Sequence, residues 1–550
     1  MSFRTCLFYG LATLGAAASF EVNGPGAAAQ ASSWNTNASG DFLNPTNWTG
    51  GVPGVLGEAM FARGAAADYT VWLPNVPTAP TQAGSVLIEA NEVTYASAGS
   101  VAEFRAGETT VVGRDQASAV FTMELYRFYS SHVIVGDRAG SQGAVNIGNA
   151  EATLSVMLSL GDFTVGRYGT GEVNVSPGGW AWAAGDADTV LGRYAGSSGT
   201  ARIAGVDANL LVGVLFVGYD GDGMLQVTDG GLVQLTRATL GVTSSGVGEA
   251  LVTGAGSEWR FSGTLTVGHD GEGTLTVADG GEVNSNNAFI GYDAGSGVVA
   301  VDGAGSLWDV RYTLHVGYAG VAHLAVTNEG RVEASSIKIG ALGKISGNAS
   351  LDGPVKNDGV VAPNDGRTLT IYGSYQQSEV GQLLIELGVA EDYSRLHVAG
   401  VATLGGSLQL QLADGFEPSA GQSFDVLDFA GVTGAFTSMD LPPLPTGLQW
   451  DASNLYTTGV LAVNPVFAAD FDDDGDVDAD DLSQWQGDFG VNALSDSDGA
   501  DFLAWQRQLS GATEGPNSAT AATVVPEPSS SLLLTTSILT TFFRASRRGR

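Results

Sequence analysis

The chain has one cysteine, Cys6, near its start. That position falls in a removable leader, so the mature chain has no thiol, and disulfides and thiolate metal sites are excluded. Basic residues are scarce: 23 Lys and Arg stand against 58 Asp and Glu, a formal net charge of −35 over 550 residues. Such a balance does not seek nucleic-acid phosphates or anionic lipid, whereas it suits solubility and divalent cations. There is no H-E-x-x-H and no G-x-S-x-G nucleophile elbow. The five histidines, His132, His269, His315, His323 and His397, are scattered. His269 and His315 occupy repeat positions held elsewhere by Tyr219 and Phe216, which marks them as replaceable. The composition therefore points away from an enzyme.

Glycine is abundant instead, at 79 residues, about twice ordinary usage and without a collagen period. Much of it falls in a repeat. Val214–Gly231, VLFVGYDGDGMLQVTDGG, returns 50 residues later at Thr264–Gly281 as TLTVGHDGEGTLTVADGG, with 11 of 18 positions identical. A looser copy occupies Thr313–Gly330. Weaker half-copies lie between. The glycines that close the strands are Gly113, Gly136, Gly166, Gly192, Gly218, Gly241, Gly268, Gly291, Gly317 and Gly340, a mean spacing near 25 residues.

A fixed period of this size means a solenoid, a propeller or an array. Apolar and polar residues alternate in Leu265-Thr266-Val267 and Leu275-Thr276-Val277, the period of a half-buried strand. Asp-Gly and Gly-Gly pairs supply the positive φ of tight corners. About three strands and three corners per module fit one coil of a parallel β-solenoid with about 25 residues per coil. A propeller with blades of about 50 residues competes, but a four-stranded blade needs no internal two-fold similarity. About ten coils, each rising roughly 4.8 Å, would make a rod near 45–50 Å. Leu265, Val267, Leu275 and Val277 are expected to point inward.

The pattern VG-x-x-G-x-G-x-L-x-V-x-x-G-G, followed by G-x-G-S-x-W at Gly254–Trp259 and Gly303–Trp308, resembles the repeat of autotransporter passengers and PEP-CTERM surface proteins of bacteria. The position of Trp259 is Leu210 one repeat earlier, so it is read as a packing site.

In order along the chain, residues 1–31 read as a signal peptide: Arg4 is basic, Cys6–Phe20 is apolar, and Ala29-Gln30-Ala31 is an A-x-A cleavage site. Residues 32–110 read as an N-terminal β cap, with Trp34, Phe42 and Trp48 closing the rod. A sugar-stacking platform is the sharper alternative for these aromatics. The repeats occupy 111–375, and 376–465 reads as a β-rich C-terminal cap. The fold expected is all-β, with a small α-helical EF-hand-like module after it.

That module is 470–510. Asp470-Phe-Asp472-Asp-Asp474-Gly475-Asp476-Val477-Asp478-Ala-Asp480-Asp481 fits a calcium loop. The hard cation wants carboxylates at loop positions 1, 3, 5 and 12 and a carbonyl at 7. These are Asp470, Asp472, Asp474, Asp481 and the backbone of Asp476, with Asp478 acting through water. A helix is expected at Leu482–Phe489. The loop resembles a bacterial dockerin, which carries two such loops. The second would hold Asp496, Asp498 and Asp501 but lacks carboxylates in its first half. The resemblance implies a cohesin-like partner, yet Ala479 and Asp480 replace the small hydroxyl residues that dockerins present.

A Ser/Thr/Ala/Gly/Pro linker at 511–525 leads to 526–550. Pro526-Glu527-Pro528, the apolar Ser529–Phe543, and Arg544, Arg547, Arg548 and Arg550 resemble a PEP-CTERM sorting signal recognised by exosortases. Fifteen helical residues reach about 22 Å, short of the roughly 30 Å hydrocarbon core. Transient membrane contact before cleavage is the expectation. The whole reads as an exported, non-enzymatic surface or matrix protein with structural or adhesive function. The alternatives are a carbohydrate-binding or scaffold-docking protein and, further off, a β-helix polysaccharide-degrading enzyme.

Overall fold

A computed structural model describes residues 31–509, apart from 37, 63–67, 75–79, 98–101, 116–117, 149–153, 365, 389–392, 468, 473–476 and 490–498. The leader up to residue 30, the linker and the sorting segment lie outside the described residues. The chain divides into two compact units, Met1–Asn464 and Pro465–Arg550.

The first unit is a parallel β-solenoid. Residues 222–246 make one coil, with strands Asp222–Thr228, Leu232–Leu235 and Arg237–Leu240. Each strand pairs, parallel and in register, with its equivalent one coil on. Asp222–Thr228 meets Val247–Thr253, which meets Glu272–Ala278, which meets Ser296–Asp302. Because the side-chain period is 2, an unslipped register keeps every apolar residue on one face through successive coils. Leu225, Ala250, Leu275, Val299 and Leu324 therefore form one buried column. Leu265, Val267, Leu275 and Val277 are all fully buried, as their alternation requires.

The corners explain the glycine. Asp229 and Gly230 turn with φ of 55° and 89°, and Asp279 and Gly280 with 51° and 83°. Of the ten strand-closing glycines, Gly113 through Gly317 all take the left-handed region. Gly218 shows why no other residue serves. Its φ is 68°, and a Cβ there would lie 2.0 Å from the Val247 carbonyl oxygen of the next coil. Gly340 stays outside that region, but a Cβ would meet the Gly317 carbonyl oxygen at 2.0 Å.

The solenoid runs beyond the repeats that announce it. The ladder with one strand per coil extends over 17 strands, from Gly40–Asp41 to Ser438–Asp440. At roughly 4.8 Å per coil it spans about 77 Å, not the 45–50 Å expected from the repeats. Segments 32–110 and 376–465 are thus largely coils themselves. They carry only one Gly-Gly pair each, Gly50-Gly51 and Gly405-Gly406, but keep the alternation, as in Tyr69–Leu73 and Gln382–Leu387.

The interior changes along the axis. At the N-terminal end Trp34, Phe42 and Trp48 are buried and packed edge-to-face, with Phe61, Tyr95 and Phe104 continuing the cluster. They close the rod and offer no open stacking face. In the middle, Leu210, Val233, Trp259, Val283, Trp308 and Val332 stack in one buried column, so the repeat tryptophans are core. Further on, the core turns polar. The Tyr375 hydroxyl donates to Gln377 Oε1 at 2.6 Å, and Asn357 Nδ2 donates to the Tyr375 hydroxyl at 3.0 Å. Burial pushes the Tyr375 phenol well above its ordinary range. Parallel stacking gives way where Ser423–Asp425 pairs antiparallel with Val460–Pro465.

Among the described residues, the second unit holds two helices, Ala479–Asp488 and Gly499–Leu509. Trp485 packs on Phe502 with ring centroids 4.9 Å apart.

Candidate metal centre

The first helix of the second unit begins at a reciprocal cap. The Asp478 carboxylate accepts the Asp480 N–H at 2.7 Å, and the Asp481 carboxylate accepts the Asp478 N–H at 2.6 Å. The pattern Asp-x-x-Asp supplies both groups, since a helix leaves its first N–H groups without internal partners. Asp478, expected to reach a cation through water, serves as the helix cap. The helix starts three residues earlier than the Leu482–Phe489 expectation, for the same reason.

Asp481 is the centre of the loop. It is fully buried. Besides the Asp478 N–H, it accepts from Phe471 N–H at 2.5 Å and Asp472 N–H at 3.3 Å. These donors fold the start of the loop back onto the helix. Trp505 of the second helix donates its indole N–H to the Asp478 carbonyl at 2.6 Å. The Ala469 N–H donates to Gln508 Oε1 at 2.9 Å. Both ends of the loop are thereby tied to the helix pair.

Asp470, Asp472 and Asp481 each place one carboxylate oxygen within 4.8 Å of the others. These three of the five expected ligands come together. Asp474 and Asp476 lie outside the described residues, as do Asp496 and Asp498 of the second loop and Pro526, Glu527 and Pro528. Asp501 stands in the first turn of the second helix.

The donor set fits a hard divalent cation. It is all oxygen, and although Asp481 Oδ1 accepts two N–H groups, Oδ2 accepts only the Asp478 N–H and keeps one lone pair to offer. Asp481, held by three backbone donors, is positioned before any cation arrives. Asp470 and Asp472 would complete the near side of the site.

Four of the five histidines do other things. His269 lies against Tyr292 and His315 against Phe289, at centroid separations of 5.1 and 4.9 Å. His323 bonds the Ser346 hydroxyl at 2.7 Å and His397 the Asp428 carboxylate at 2.6 Å. Burial holds His315 and His323 below the usual imidazole range, with Lys338 and Lys344 adding to the effect.

No family model matches the chain. The uncharacterized lipoprotein YdeK of Escherichia coli (strain K12) is 32% identical to it over 133 residues. The matched stretch is 24% of this chain and 10% of that protein, so the chain spans about a tenth of the length of this relative.

Proposed function

We propose that this chain is an exported bacterial surface or extracellular-matrix protein, a structural or adhesive rod rather than an enzyme. The observation that carries the reading is the unbroken parallel ladder from Gly40 to Asp440, most of whose apolar residues turn inward. Such a fold extends by adding coils and presents a long outer surface, which suits reach and display. Fold does not dictate function, and some parallel β-helices cleave polysaccharides. Here four of the five histidines, His269, His315, His323 and His397, are engaged in stacking and pairing at separate coils, which favours the non-catalytic reading. The similarity to a lipoprotein supports a cell-envelope or surface location.

Two signals complete the proposal. The leader directs export, and the Pro526-Glu527-Pro528 segment is the substrate of an exosortase-like sorting enzyme, with transient membrane contact through Ser529–Phe543. The Asp470–Asp481 loop binds Ca2+ and orders the helix pair beside it. A dockerin-like role with a cohesin partner is the alternative for that unit. Extracellular polysaccharide is the matrix partner that a rod of this charge suits best.

The test is the C-terminus of the exported chain by mass spectrometry after cell fractionation. Cleavage near Pro526–Pro528 is expected. An exported chain that still carries Arg550 would overturn the sorting proposal and favour a tail anchor.

A further inference from the structure

The strand Gly179–Ala183, GWAWA, inverts the usual allocation of bulk. Gly179, Ala181 and Ala183 face the interior, and Trp180 and Trp182 face outward and are half-buried. Ala181 sits in register between Met157 and Leu210 of the buried column, so the small residues are the ones the core receives. The two indoles stand side by side on one strand, about 6.6–6.8 Å apart along it. A half-buried tryptophan forgoes part of the burial, worth about 1–3 kcal/mol for a large side chain, that the neighbouring column would have taken. A pair of them on one outer face is a surface feature to be explained.

They border a cleft of about 270 Å³. Leu211, Gln234, Thr236 and Ser262, from the next three coils, complete its walls. The volume falls just under the usual range for small-molecule sites and suits one or two sugar rings rather than a protein segment. The indole N–H groups of Trp180 and Trp182 and the Gln234 amide make no hydrogen bond among the described residues. Gly213 keeps the floor low: a Cβ there would lie 2.4 Å from the Gly185 carbonyl oxygen. The lining contains no Asp, Glu, Lys or Arg, in a chain whose net charge is −35. Arg260, in register with Gln234 one coil on, is taken by Glu258.

We propose that this cleft is a binding subsite for a neutral hexopyranose glycan. A pyranose ring has an apolar C–H face and a rim of hydroxyls. The indoles meet the first by stacking, while the indole N–H groups, the Gln234 amide and the Thr236 and Ser262 hydroxyls meet the second. An anionic glycan finds no cation in the lining and meets a repulsive field around it. A cationic ligand finds no carboxylate there. The inference deepens the adhesive reading by naming what the rod holds. It rests on the outer face of the solenoid and not on the sorting signals.

The test is titration of the purified full chain with cellohexaose, maltohexaose and mannohexaose as neutral probes and hexagalacturonate as an anionic one, read by tryptophan fluorescence and calorimetry. At least one neutral probe binds, and hexagalacturonate does not. Trp182→Ala and Trp180→Ala each weaken binding tenfold or more, with the circular dichroism of the parent. Gln234→Ala, which leaves both indoles in place, weakens it several-fold and covers the case in which a tryptophan variant misfolds. The proposal is overturned if no neutral probe binds, if the anionic probe binds best, or if Gln234→Ala binds like the parent. It is also overturned if the cleft instead mediates concentration-dependent self-association that Trp182→Ala abolishes. Sugar binding with an unprocessed C-terminus would sink the sorting proposal alone, and the converse result this one alone.

Discussion

Gly218 and Gly230 occupy neighbouring corners and both take positive φ, 68° and 89°, but their surroundings differ. A Cβ on Gly218 would strike the Val247 backbone at 2.0 Å, whereas on Gly230 the nearest atom is Val206 Cγ2 at 3.2 Å. Gly230→Ala should therefore cost only the left-handed penalty, about 1–2 kcal/mol. Gly218→Ala adds a backbone displacement and should cost at least about 3 kcal/mol. Urea midpoints falling in the order parent, Gly230→Ala, Gly218→Ala are expected; equal midpoints for the two variants would contradict the close approach. The glycine spacing is legible in the sequence because sterics leave no substitute. Which face of GWAWA lies inward is not, since alternation is symmetric. Only alignment of Ala181 with Leu210 and Trp259 across coils decides it.

At the scale of the element, the coil is held by columns, not by its own contacts. Val267 is fully buried and lies in register between Leu240 and Ile290. Val267→Asp removes burial worth about 1.5–3 kcal/mol and adds a carboxylate with no partner. Hydrogen exchange should rise in the coils around 222–300. It should stay at parent values in distant strands such as Gln382–Leu387 and Ser407–Leu412, because stacked units couple mainly to neighbours. Exchange unchanged throughout would refute the inward assignment.

The Asp470–Asp481 loop, proposed above to hold Ca2+, is the other element with a sharp expectation. Asp481 serves both the helix cap and the carboxylate cluster. Calorimetry of the full chain with Ca2+ should give one site ascribable to this loop, lost in Asp470→Ala with Asp481→Ala. A second site of equal affinity removed by Asp501→Ala would show that the second loop is intact. The spacing of acids made the clustering of Asp470, Asp472 and Asp481 legible. The role of Asp478 was hidden because a helix cap and a cation ligand call for the same residue type.

For the solenoid unit as a whole, the repeat gave architecture and coil length but not extent. The flanking coils keep only the Gly-Gly pairs Gly50-Gly51 and Gly405-Gly406, and their cores take aromatics at Trp34 and Phe42 or an amide at Gln377, so self-similarity fades while stacking continues. The central claim is that this rod is displayed outside the cell. The most direct measurement is brief protease treatment of intact cells that make the chain, followed by detection of peptides from 32–465. The account predicts that these peptides are released while a cytoplasmic control protein stays intact. Peptides that appear only after lysis would contradict it.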